Sequence, residues 1–268
     1  METGLIGMVH TGLLINTVYD PVFNDTEIID PQVIANIAFY IMDKAIETGE
    51  NLNTDYLQIE FTFLAGCYLY GTNHGPTGLI HQFLRAYVDY PDVMGPLFSK
   101  AKYYNALKNT LDYYITIQLP DGNMPTQIEG TCYENYGNDS DARVQFCHGA
   151  PGFIAPYMEA AFVFQKFNTT AAEIYFNTAL SVANVTWERG LLVKGTMFCH
   201  GIGANINQFL YLGQIINTIQ TDSSKEFLDQ LKTAGYDLEY LKNQAFWRSK
   251  QFVLWTLNWD NLNHTRIY

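Results

Sequence analysis

The sequence predicts an all-α protein in which one set of helices lines the inside of a ring and a second set wraps the outside. Three observations lead there. No stretch of the 268 residues keeps a period-two alternation of apolar and polar side chains, so nothing reads as a half-buried strand. Amphipathic segments with helix-start residues recur along the chain. Between them lie four segments entered through glycine: Gly4-Leu5-Ile6-Gly7, Gly75-Pro76-Thr77-Gly78, Gly149-Ala150-Pro151-Gly152 and Gly201-Ile202-Gly203-Ala204.

The amphipathic set comes first. Asp30-Pro31 is a helix start, a cap residue followed by proline at the first helical position. Val33, Ile37 and Ile41 then share a face, with Ile34 and Ala38 beside it, and Gly49 is the expected stop. From about Ser99 to Gln118 a similar spacing runs through Tyr103, Leu107, Leu111 and Tyr114, and Pro120-Asp121-Gly122 turns the chain. Thr170 with Glu173 forms a capping box for a helix that closes at Gly190. Ser223 with Glu226 forms another, closing near Gly235.

In the second set the leading glycines are 71, 74 and 52 residues apart, enough for a helix pair in each repeat. Glycine at a helix start lets the backbone turn sharply. The residues just before the leading glycines are Thr3, His74, His148 and His200, and a ring is expected to bring them together at one end. The alternative is a helical solenoid whose glycines serve packing alone. A single domain is expected over residues 1–268.

Composition narrows the classes of function. Hydrophobic residues make up 48% and aromatics 15%, enough for a sizeable core. The net charge is −12, with only 15 Lys and Arg, which disfavours nucleic acid and anionic lipid as partners. No apolar run reaches the roughly 18 residues of a membrane span. Met1-Glu2-Thr3-Gly4 reads neither as a signal peptide nor as a myristoylation signal. Four cysteines without an export signal then point to reduced thiols and a cytoplasmic location.

Two of those cysteines stand in like segments, Phe146-Cys147-His148-Gly149 and Phe198-Cys199-His200-Gly201. Two thiolates with an imidazole are a common ligand set for zinc, and the alternative is a pair of buried structural cysteines. Three longer strings frame them: GTNHGPTG around His74, LPDGNMP followed by QFCHGAPG, and LLVKGTMFCHG. Together they resemble the lanthionine synthetase C-like family, over roughly Asp55 to Gln214.

The resemblance implies an α/α toroid of about seven helix pairs. It implies zinc held by Cys147, Cys199 and His200, with a fourth position open to a substrate thiol. It also implies a reaction, the addition of a thiol to the β-carbon of a dehydroalanine or dehydrobutyrine residue in a peptide or protein. Glutathione is the expected thiol for an enzyme resembling the eukaryotic members, and a peptide cysteine for one resembling the bacterial cyclases. His74 matches a family histidine associated with acid–base work. Arg143 matches an arginine suited to the developing enolate, and Lys194 a lysine associated with glutathione. His148 occupies a place held by histidine in eukaryotic members. Cys67 and Cys132 are expected to be core or loop thiols.

The sequence also departs from the family pattern. An acidic residue of the bacterial cyclases falls at Met1, and four glycine motifs stand where the family has about seven. The toroid is therefore expected to be incomplete, with open edges that a protein partner could cover. Two functions follow: a zinc-dependent, thioether-forming enzyme of glutathione transferase type, or a catalytically inactive scaffold within a larger assembly.

Overall fold

The computed structural model describes residues 7–16, 28–60, 65–128, 143–192 and 195–258. Among these residues helices dominate and no strand forms; extended pairing is limited to isolated bridges such as Glu60 with Tyr68. The all-α class is as the sequence predicts. The chain groups into two compact units, Met1–Thr116 with Gln127–Gly137, and Ile117–Thr126 with Asn138–Tyr268.

The first unit holds α1 (7–16), α2 (Pro31–Asn51), α3 (Pro76–Asp89), α4 (Pro91–Phe98) and α5 (Ala101–Thr116). α2 starts where expected: the Asp30 carboxylate accepts from the Gln32 N–H at 2.8 Å, with Pro31 next in the chain. Its buried stripe differs from the expected one. Ile34, Ala38, Ile41 and Ala45 are buried, whereas Val33 is 48% exposed. A strict step of four residues drifts by about 40° around a helix, so Val33 and Ile41 face different sides, while the mixed steps of four, three and four hold one side. α2 also runs past Gly49 to Asn51. In α5 the residues Tyr103, Leu107, Leu111 and Tyr114 are all buried, as their spacing predicts.

α4 has no counterpart in the sequence reading, because Gly95 and Pro96 inside it look like breakers. Packing overrides them. Phe98 is buried against Phe83 and Tyr87, with ring centroids 5.8 and 4.8 Å away. A tyrosine cluster fills another part of this unit. Tyr56 stacks on Tyr113 at 3.9 Å, and the hydroxyls of Tyr70 and Tyr113 lie 3.0 Å apart. Cys67 is disulfide-bonded, which corrects the expectation of a reduced core or loop thiol. Cys132 lies outside the described residues.

The second unit holds α6 (Pro151–Phe164), α7 (Thr169–Arg189), α8 (Ile202–Asp222), α9 (Lys225–Thr233) and α10 (Leu238–Leu257). Every residue of α6 is buried, as a helix apolar on all sides requires. Its one charged group, Glu159, accepts from the Tyr211 hydroxyl on α8. The two predicted capping boxes are off by one or two positions. Asn168, not Thr170, caps α7 by accepting from the Ala171 N–H, and Ser224, not Ser223, caps α9 by accepting from the Phe227 N–H. Either candidate in each pair has a suitable side chain; Thr170 already lies inside α7, and Ser223 serves as the C-cap of α8. α10, which the sequence reading left unassigned, packs along α8. Trp187 of α7 lies 5.2 Å from Trp247 and 5.0 Å from Trp255 of α10, with the Arg248 guanidinium 5.5 Å above its ring.

A pH dependence follows from His81 in α3. Burial pushes its pKa down to about 3, with smaller effects from His10 and Arg85. The native state therefore keeps a neutral imidazole that the unfolded chain protonates near pH 6.5. This contribution is complete above about pH 6.5 and is lost as the pH falls towards 3. At about 1.4 kcal/mol per pKa unit it amounts to a few kcal/mol. Denaturant unfolding of the unmutated protein and of His81→Gln at pH 7, 5.5 and 4.5 checks it; the variant is expected to lose less stability across that range.

Candidate metal centre

Two loops of the second unit build the centre. The first runs from Arg143 to Ala150 and leads into α6. Asn123 anchors it from the turn after Pro120-Asp121-Gly122. That turn is closed by the Leu119 N–H donating to the Asn123 carbonyl at 2.9 Å. The Asn123 side chain is 1% exposed. Its Nδ2 donates to the Arg143 carbonyl at 3.2 Å and its Oδ1 accepts from the Ala150 N–H at 2.7 Å. One carboxamide thus pins both ends of the loop.

Within the loop, Gln145 and His148 exchange two backbone hydrogen bonds of 3.2 and 3.1 Å, which close a tight turn with Phe146 and Cys147 at its tip. Gly149 follows with φ +106°, and a Cβ there would stand 1.9 Å from the Arg143 carbonyl oxygen. No other residue type fits without moving that backbone.

The second loop carries Cys199 and leads into α8. The Gly201 N–H donates to Met197 O, and the Ile202 N–H to Gly195 O, each at 3.0 Å. The chain coils so closely around Gly201 that a Cβ would lie 2.5 Å from the backbone of Gly195 and Met197. Two sets of bonds hold the loops in register. The Cys147 N–H donates to the Cys199 carbonyl at 3.0 Å. Asn205, in the first turn of α8 and fully buried, donates from Nδ2 to Val144 O at 3.1 Å and Gly190 O at 2.8 Å.

The outcome is two free sulfurs within 4.8 Å of each other. Cys147 is buried and Cys199 half-buried. Burial pushes the Cys147 thiol up to about 12, and its neighbour Cys199 adds to the rise; a hydrogen bond from Gln145 Nε2 to the Cys147 sulfur at 3.3 Å acts the other way. Two thiolates this close repel, and a divalent cation between them removes both the repulsion and the penalty of burial. Sulfur donors favour a zinc-like ion over magnesium or calcium. The donors present therefore fit zinc.

The other predicted site residues fall as follows. His148 is half-buried next to Cys147, its backbone committed to the turn. Arg143 is half-buried at the start of the first loop. His200 is half-buried, and its ring nitrogens do not join the two sulfurs within 4.8 Å. Lys194 lies outside the described residues. In the first unit, His74 precedes α3, its N–H donating to Gly71 O at 3.2 Å, and burial lowers its pKa, which favours the neutral ring.

The model of the lanthionine synthetase C-like protein family matches residues 2–246. The chain belongs to the lanthionine synthetase C-like family. Among curated relatives it is 27% identical over 180 residues to a zebrafish (Danio rerio) protein named glutathione S-transferase LANCL1, covering 65% of this chain and 39% of that one. It is 25% identical over 181 residues to the Arabidopsis thaliana LanC-like protein GCL1, covering 67% of this chain and 36% of that one. The chain thus spans well under half the length of the curated relatives it matches. No helix among its described residues is long and apolar enough to cross a membrane.

Sequence reasoning missed Asn123, Gln145 and Asn205. All three lie within or near the strings that carry the family likeness, yet a lone amide has no periodic signature. Asn123→Ala is expected to remove two hydrogen bonds, the one to the Arg143 carbonyl and the one from the Ala150 N–H. At about 1–3 kcal/mol for each bond, denaturant unfolding is expected to show a loss of about 2–6 kcal/mol. Hydrogen exchange at Ala150 is expected to speed up more than exchange in α10.

Proposed function

We propose that this chain is a zinc-dependent enzyme that adds a thiol, glutathione by preference, to dehydroalanine or dehydrobutyrine residues in peptides or proteins. The observation that carries this reading is the pair of free sulfurs held together on two glycine-bounded loops. The zebrafish relative's name, glutathione S-transferase, supports the choice of thiol.

Cys147 and Cys199 would hold the ion, with His200 as the third ligand. Zinc bound there supplies the Lewis acidity that makes an incoming thiol ionise near neutral pH. The chain's own groups do the rest. His74, held neutral by burial, takes the proton leaving the thiol. The sulfur bonds to the β-carbon as the carbon–carbon double bond opens, and His74 returns the proton to the α-carbon, so no proton is gained or lost overall. Arg143 offers a positive charge to the carbonyl oxygen on which negative charge develops. Lys194 pairs with a carboxylate of glutathione, and His148 orients groups beside the ion.

A second reading, a catalytically inactive subunit covered by a protein partner, is favoured by the outward face of α10. That face is apolar where solvent is expected, with Trp247 46% and Leu257 76% exposed.

Elemental analysis is expected to give one zinc per unmutated chain and much less in Cys199→Ala. His74→Asn is expected to keep its zinc but lose about 10²–10⁴-fold of the rate at which glutathione adds to a dehydroalanine peptide. Unmutated protein that binds zinc yet adds no thiol above the uncatalysed rate decides for the subunit.

A further inference from the structure

We infer that Gln145 is a positioning residue of the dithiol centre: its carboxamide N–H holds the Cys147 sulfur and shares the charge that sulfur carries when a metal is bound. The inference rests on the metal reading above.

The geometry has three parts. Gln145 is 6% exposed. Its Nε2 stands 3.3 Å from the Cys147 sulfur, within range of an N–H···S hydrogen bond. Both of its backbone polar groups are bonded to His148, so the base of the side chain is fixed relative to the turn that carries Cys147.

The chemistry explains why a carboxamide suits this place. Each thiolate ligand brings a full negative charge, and the ion answers it from one side only. Cys199, being half-buried, can also be solvated by water, whereas Cys147 is 2% exposed and depends on donors from the protein. A neutral N–H supplies one. Lysine or arginine in its place would compete with the ion for the sulfur, and a carboxylate would repel it. A donor of this kind also aims the sulfur, restricting the rotation that would carry it away from Cys199. Such outer groups typically change metal affinity by about 10–100-fold.

The test uses the full chain and two substitutions. Gln145→Met keeps the length and removes the donor; Gln145→Glu keeps the shape and replaces the donor with a carboxylate. Zinc affinity is read by competition with a chromophoric chelator. The cobalt(II)-loaded protein gives a second reading through its sulfur-to-metal charge-transfer absorption, which responds to charge on the sulfur. Gln145→Met is expected to bind zinc about 10–100-fold more weakly and to shift the cobalt band, with metal-free helicity and melting little changed. Gln145→Glu is expected to lose more. Unchanged zinc affinity in Gln145→Met overturns the inference. So does a loss of affinity that follows a loss of helicity and leaves the cobalt band in place, because that marks a purely structural residue. If the unmutated protein takes up neither metal, the metal reading itself has failed and this inference falls with it.

Discussion

The hydrogen bond from the Cys147 N–H to the Cys199 carbonyl joins two loops whose cysteines are 52 residues apart in the chain. Everything at the centre depends on that pairing being held. A buried loop carries backbone groups that must find partners, and here two asparagines provide them. Asn123 spans the mouth of one loop, and Asn205 reaches from α8 to that loop and to the end of α7. Each uses a single planar carboxamide to fix two points of backbone at once. The glycines make this possible, since a side chain at Gly149 or Gly201 would occupy the space through which the loops close.

The same tight packing sets the electrostatics. Burial, together with the neighbouring Cys199 sulfur, makes ionisation of Cys147 harder. The cost falls on the ionised form alone: it is absent while the thiol stays protonated and grows as the pH rises past the ordinary thiol range or as the sulfur gives up its proton to bind a metal. The two loops lead into α6 and α8, and α6 packs against both α7 and α8, a frame that holds the sulfurs together.

Much of this was legible in the sequence. The glycine-led segments open α3, α6 and α8, with Gly75 and Gly201 at the caps of α3 and α8, because glycine before an apolar run has few other uses. The stripe Tyr103, Leu107, Leu111 and Tyr114 is buried because a helix of that period has only one side to bury. Failures came where tertiary contacts outweigh local preference. α4 forms despite Gly95 and Pro96, and α2 turns Val33 outward because its neighbours meet the side marked by Ile34 and Ile41. The cysteines were half legible. Cys147 and Cys199 announced themselves through adjacent histidines, while the bonding of Cys67 left no local mark. Asn123 and Asn205 were invisible for another reason: each acts on backbone groups between 15 and 61 residues away.

The aromatic residues divide unevenly between the two compact units. All four tryptophans of the chain come after residue 186, and Trp187, Trp247 and Trp255 share one cluster in the second unit. The described aromatics of the first unit are tyrosine and phenylalanine, including the stacked pair Tyr56 and Tyr113. The two units therefore carry separate optical labels. Fluorescence excited at the red edge of the absorption band follows the unit that holds the cysteine loops, while tyrosine absorbance is weighted towards the other. Comparing the two signals asks whether the units melt as one cooperative body, a test that needs no introduced dye.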